Sequence, residues 1–317
     1  QDELDEDFEL ARTGSLYACD TDQEMQVAAD YAKSMRDDGY DIRTLDPKEL
    51  LEFEPYIAKD LKGGLYSPES IGLNPYRLCF AFVDQVEGKG LDVYRHTAVK
   101  GIKLGKNNEV ESVEIDGGEL ATANVVNCAG VWAPEIGKMV GIEIPIIPRK
   151  GVILVSTGSF PFNFRKVQEF GYMISKFSNF ECKRDPELEK YGVSFTIEPT
   201  EANNVLVGSS RNFAGYGVNT EIEIIHTIAK RAIRFYPILK DTLCIRSYAG
   251  VRPFMEDHLP LITDVEKVPG YYIAAGHEGD GISMSPATGR LIAEMITGEP
   301  LFINQTPFSY KRYDGRL

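Results

Sequence analysis

YYIAAGHEGDGISMSPATGRLIAEMI, running from Tyr271 to Ile296, joins an apolar strand to a long helix through a glycine-rich loop. Gly276, Gly279 and Gly281 let the backbone approach a flat ligand closely, because no Cβ stands in the way. The spacing predicts a helix from near Ser285, with Pro286 at its start. A helix N-terminus offers unpaired N–H donors and a partial positive charge, which suit a developing anion. The alternative is a tight strand-to-helix turn that binds nothing. The loop is neither a P-loop nor a GxGxxG dinucleotide fingerprint.

Two stretches upstream have a related character. In SYAGVRP (Ser247–Pro253), strand alternation puts Tyr248, Gly250 and Arg252 on one face. An arginine there can present its fork to a carboxylate while a phenol donates a second bond; the alternative is a structural ion pair. In VVNCAGVWAP (Val125–Pro134), a strand ends in Cys128, Ala129 and Gly130, small residues that admit a ribose or pyrophosphate. Trp132, the single tryptophan, is expected to anchor the core.

The rest of the chain alternates β-rich and α/β texture. A strand over RTGSLYAC precedes a helix over Asp22–Asp38, with Met25, Ala28, Ala29, Ala32 and Met35 on its inner face. Helices follow at Asp46–Leu51 and Tyr76–Glu87, then four short β-like runs between Leu91 and Asn127. IPIIPRKGVILVS reads as a proline-flanked strand pair, and ECKRDPELEK as an exposed excursion. GVSFTIEPT and NNVLVGSSR form strands joined at Asn203-Asn204, and Glu221–Phe235 is a helix. The expected class is mixed α/β with two interleaved domains: one from residues 1–82 and 143–247, the other from 83–142 and 248–317.

Composition narrows the function. The 317 residues are 43% hydrophobic, so a full core is affordable and disorder is excluded. A net charge of −14 disfavours nucleic acid, and no apolar run is long enough for a membrane helix. The five scattered cysteines read as free thiols in a reducing, cytoplasmic setting, and no metal spacing occurs among them and the four histidines. The acidic start, QDELDEDFEL, lacks the basic and apolar regions of a signal peptide.

The set as a whole resembles the D-amino-acid oxidase-like family of FAD-dependent oxidoreductases, which includes glycine oxidase and the sarcosine oxidase β-type subunits. The resemblance rests on TAV (Thr97–Val99), NCAGVWAPEIG (Asn127–Gly137), PRKGVILV (Pro148–Val155) and FTIEPT with NVLVGSSR. It rests most on YAGVRPFMEDHLPLI (Tyr248–Ile262) and AAGHEGDGISMSPATGRLIAEMI. It implies a partial FAD-binding Rossmann-like domain (83–142 and 248–317) interleaved with a sheet-and-helix substrate domain. Relatives open with a strand–GxGxxG–helix unit that no stretch of this chain matches, so the chain is read as lacking that segment.

The resemblance further implies roles. Val99 contacts adenine through its backbone, and Ala129 and Gly130 lie near ribose and pyrophosphate. Gly276, Gly279, Asp280, Gly281 and Ile282 wrap the isoalloxazine. Arg252 pairs with the substrate carboxylate, and Thr196 stands where relatives carry an active-site tyrosine, so Tyr248 is its substitute. His277 either hydrogen-bonds the substrate or ring, or is a satisfied loop histidine. The implied reaction is hydride transfer from an amino acid or amine to FAD, giving an imine that water hydrolyses. A homo-oligomer or a partner subunit as electron acceptor is compatible with this reading. The alternatives are a glycerol-3-phosphate dehydrogenase-like flavoprotein and a flavin-free fragment without activity.

Overall fold

Leu16 and Ala18 alternate with more polar neighbours and bury completely, which makes Ser15–Cys19 the strand β1. The computed structural model describes residues 4, 6–158, 161–177 and 185–313. After β1 come α1 (Asp22–Asp37), β2 (Arg43–Leu45), α2 (Pro47–Phe53), β3 (Gly63–Ser67) and α3 (Pro75–Val86). The short strands β4 (Val99–Leu104), β5 (Val110–Ile115), β6 (Gly118–Ala121) and β7 (Val125–Asn127) precede α4 (Ala133–Lys138) and the long β8 (Ile147–Ser156). Next are β9 (Lys166–Glu169), α5 (Phe170–Phe177), α6 (Pro186–Tyr191), β10 (Thr196–Pro199), β11 (Val205–Gly208) and α7 (Ile222–Phe235). The chain closes with β12 (Cys244–Phe254), β13 (Leu261–Asp264), β14 (Tyr271–Ala275) and α8 (Gly281–Thr297). The class is mixed α/β, as the pattern predicts.

These elements pack as two compact units. The first contains Gln1–Leu91, Lys150–Asn212 and Val218–Gly250; the second contains Asp92–Arg149, Phe213–Gly217 and Val251–Leu317. An eight-stranded sheet, ordered β12-β8-β11-β10-β9-β1-β3-β2, organises the first unit. Leu16, Val167, Ile197, Val207 and Leu154 form the buried face of this sheet, under α7. Helix α7 presents Ile224, Ile228, Ala232 and Phe235 at intervals of three and four residues. Phe235 stacks on Phe195 at 4.6 Å. At the β3 end the opposite face is covered by α1 and α5 through Ala28, Ala32, Leu65 and Phe170. Around Ser15, Lys166 and Glu198 that opposite face lines an open cleft.

The second unit holds a meander, β4-β5-β6, and the sheet β13-β14-β7, in which β14 runs parallel to β7. Tyr271, Ile273 and Ala275 bury on one side with Ile142, Ile144 and Met255. Burial drives the Tyr271 phenol up to about 12, and an Asn127 hydrogen bond opposes it. Tyr272 and Ala274 meet Leu291 and Ile292 of α8 on the other side.

Three expectations change. IPIIPRKGVILVS is one ten-residue strand, not a pair, because Pro148 sits at its second position, where a missing N–H is tolerated. Ala29 is exposed; Ala28 and Ala32 are buried on α1, and Met25 and Met35 pack partly buried beside them. Helix α8 begins one turn early, at Gly281, and takes Pro286 inside it. Proline cannot bond the carbonyl of Ile282 four residues back, and the Ser285 hydroxyl donates to that oxygen instead, at 2.9 Å. Part of the ECKRDPELEK excursion, residues 181–184, lies outside the described residues.

Candidate functional site

Strands β7 and β14 run parallel and in register, Ile273 opposite Asn127, so the turns that follow them lie at one end of the sheet. Open α/β sheets bind ligands at the carboxyl ends of parallel strands, where chain turns leave backbone donors free. The first turn is held by Asn127, whose amide donates to the Ala133 carbonyl and the Tyr271 hydroxyl at 2.9 and 2.7 Å. Its side-chain oxygen accepts the Ala129 N–H at 3.2 Å. Gly130 has φ +56°, and a Cβ there would meet nothing within 4 Å. Trp132 is 53% exposed and stacked on Tyr216 at 6.1 Å, so it does not anchor the core. It follows the turn on a short 3-10 segment that faces it outward.

The second turn is tighter. Gly276 has φ +89°, and a Cβ would stand 2.8 Å from Met255 Cγ. Glu278, also at positive φ (+50°), donates its N–H to the Pro253 carbonyl at 3.3 Å. Its carboxylate accepts from the Arg149 guanidinium and meets His258 Nδ1 at 2.7 Å. Arg149 lies over the Phe254 ring at 4.4 Å. A Cβ on Gly279 would be 4.0 Å from Arg252 Nε, so Arg252 stands beside the loop. Asp280 occupies the N-cap of α8, yet no side-chain cap bond forms and the first turn carries no acid. The early start of α8 thus puts its N–H donors at Gly281 and Ile282, within the loop itself.

His277 places Nε2 3.0 Å from the Thr288 hydroxyl. It lines a cavity of about 310 Å³ with Cys128, Gly281, Ser285 and Gly289. Burial holds its pKa below the ordinary histidine value, with Asp280 opposing. A histidine whose folded pKa is depressed contributes stability above its unfolded pKa of about 6.5, lost as pH falls through that window. His277→Gln is therefore expected to flatten the fall in Tm between about pH 7 and 5, relative to the parent. Identical slopes would show that His277 does not titrate this way.

The structure brings Ala129, Gly130, Gly276, Gly279, Asp280, Gly281, Ile282, His277 and Arg252 into the second unit. Val99 opens β4 in the same unit, opposite Ile115. Thr196 and Tyr248 belong to the first unit. Tyr248 lines a cleft of about 470 Å³, and Thr196, opposite Gly208, is not part of its wall. Arg149, Glu278 and His258 escaped the sequence reading. Glu278 sits among the loop glycines, but its partners are 129 and 20 residues away in sequence.

The four described cysteines, Cys19, Cys79, Cys128 and Cys244, are free thiols. Among the described residues no helix is long and apolar enough to cross a membrane, and no group of His, Cys, Asp and Glu could hold a metal ion.

Known proteins share the fold of this chain. Hydrogen cyanide synthase subunit HcnC of Pseudomonas protegens is 28% identical over 312 residues, 97% of this chain and 68% of that protein. Glycine oxidase of Geobacillus kaustophilus is 25% identical over 98% of this chain and 76% of its own length. The crystal structure of that oxidase superposes with a TM-score of 0.85 at 24% identity, covering 98% of this chain and 79% of that one. L-proline dehydrogenase from P. horikoshii gives the same TM-score and identity over 99% and 79%. At such identities the structural likeness establishes the fold. The profile of the FAD dependent oxidoreductase (DAO) family matches residues 1–295, and the chain belongs to that family.

Proposed function

We propose that the protein oxidises the C–N bond of an amino acid or amine, using FAD. The observation that carries this reading is the pair of glycine turns at the ends of parallel β7 and β14, with the uncapped start of α8 and Arg252 beside Gly279. The second unit serves as the cofactor-binding body and the first as the substrate-binding body.

The residues present fit the ring end of the cofactor. Gly279 leaves space there, as Gly130 does for the ribose and pyrophosphate, and the first N–H groups of α8 point a partial positive charge at the anionic ring edge. FAD, when bound, supplies the acceptor for the hydride leaving the substrate Cα. Arg252 holds the substrate carboxylate, and its planar fork fixes the orientation of the Cα–H. Glu278, clamped by Arg149 and His258, keeps the loop in its positive-φ conformation. No side-chain base is required if the amine enters neutral, so positioning and the helix-end field dominate. Glycine oxidase, by its name, acts on glycine, which supports a small-molecule substrate here.

The test is FAD titration into protein expressed from its intact gene, followed by flavin fluorescence and visible absorption. Saturable binding, and bleaching of the bound flavin by an amino acid under anaerobic conditions, is the expected result. Absence of binding would remove the flavoenzyme reading. Binding without bleaching by any amino acid or amine would remove the substrate class.

A further inference from the structure

Strand β12 closes one end of the eight-stranded sheet: β8 lies on one side of it and, among the described residues, no strand lies on the other. It is 11 residues long. Edge strands that stay alone are blunted by proline, lysine or a bulge, because an open row of N–H and C=O groups is a template for another strand. The stretch Cys244–Gly250 holds neither proline nor lysine, and Arg246 is its one charge.

The backbone at Leu243 shows which groups face outward. The Leu243 carbonyl accepts the Thr157 N–H at 2.8 Å, just past the end of β8. Successive residues of an extended chain aim their N–H and C=O groups to opposite sides, so Cys244 and Arg246 aim theirs at the open edge. The Cys244 thiol donates to the Arg246 carbonyl at 3.2 Å, a contact made within the strand itself.

The side chains along this edge are apolar and open to water. Leu243 is 72% exposed and Ile245 59%, and strand alternation sets both on one face. The Thr220 and Ser247 hydroxyls are 3.2 Å apart, which brings the exposed Val218 and Ile222 alongside the same strand. Leu243 also borders an apolar hollow of about 70 Å³ with Leu154, Val207, Ala229 and Ile233. Exposed apolar side chains grouped in this way mark an interaction surface.

A second copy of the chain fits this edge, and charge selects the register. Two copies of one strand pair antiparallel about a two-fold axis that passes through one residue. An axis at Arg246 sets the two guanidinium groups opposite each other, and an axis at Leu243 sets Arg246 opposite the partner's Lys240; both arrangements repel. An axis at Ile245 spends Leu243 on the partner's Ser247. An axis at Cys244 sets Leu243 opposite the partner's Ile245, twice, and keeps the two Arg246 side chains about 14 Å apart, beyond the screening length.

We propose that two copies of this chain join edge to edge along β12, antiparallel about Cys244, with Leu243 of each copy packed against the partner's Ile245. This interface does not rest on the flavin reading, since every residue it uses lies in the first unit.

The test is sedimentation velocity of the full chain, without added flavin, between about 2 and 100 μM. A dimer is expected in this range. Leu243→Asp is expected to raise its dissociation constant at least about a hundredfold, because each dimer then holds two carboxylates against apolar partners. Its Tm at low concentration should match the parent's, since Leu243 is exposed in the single chain. Diamide, which takes up the two hydrogen atoms that two thiols release, gives an independent readout. Directly opposed, hydrogen-bonded residues have Cα atoms about 5.5 Å apart, within disulfide reach. Diamide is therefore expected to give a disulfide-linked dimer that Cys244→Ser abolishes and that Cys79→Ser or Cys128→Ser leaves intact. A chain still monomeric at 100 μM would overturn the interface. So would a dimer indifferent to Leu243→Asp, or a linked dimer that survives Cys244→Ser, since either puts the contact on another surface.

Discussion

Arg252→Ala is expected to lower kcat/KM for carboxylate-bearing substrates by about a hundredfold, or about 2.7 kcal/mol, with most of the change in KM. A guanidinium fork makes two parallel charge-assisted bonds to a carboxylate, and alanine removes both. The carboxylate is held alike in ground and transition states, so its loss weakens binding more than chemistry. Arg252→Lys retains the charge without the fork and should fall between. The decisive comparison uses an amine without a carboxylate, whose kcat/KM should be unchanged. Equal losses for both kinds of substrate would mean that Arg252 holds the glycine loop, beside which it stands at Gly279, and not the substrate.

Glu278→Ala is expected to cost the second unit about 3–5 kcal/mol, the penalty for leaving one member of a buried ion pair alone. Arg149 is 9% exposed and Glu278 4%, and Arg149 Nε already lacks a hydrogen-bond partner. Without the carboxylate, the guanidinium retains only the Phe254 ring among the described residues. Urea denaturation measures the loss. The double variant Arg149→Met/Glu278→Ala should recover much of it, because removing both charges removes the uncompensated one. A loss under about 1 kcal/mol for the single variant would show that water reaches the guanidinium and the clamp is dispensable. The same substitution should weaken FAD binding, since a residue at φ +50° loses the side-chain contacts that hold it there.

The glycine turns, the strand carrying Arg252 and the amphipathic helices were legible because each is a local matter. Alternation marks a strand, a stripe at three- and four-residue spacing marks a helix, and glycine marks a turn that no other residue makes easily. The start of α8 differs from the expected one for an equally local reason: Pro286 marks a first turn by pattern, while Ser285 bonds back to Ile282 and lets the helix run through it. Trp132, the single tryptophan, is expected in the core, but its position on the segment after Gly130 turns it outward onto Tyr216.

Order along the chain was enough to specify the elements, the mixed α/β class and the family, because periodicity and turn chemistry act over a few residues. Partnerships across long separations were not. Arg149 meets Glu278 across 129 residues, and Ser15, Lys166 and Glu198 come together only because a parallel pairing and an antiparallel pairing set them in one row. Burial then makes the Arg149–Glu278 pair matter: the same two charges in water would be screened and nearly indifferent to one another.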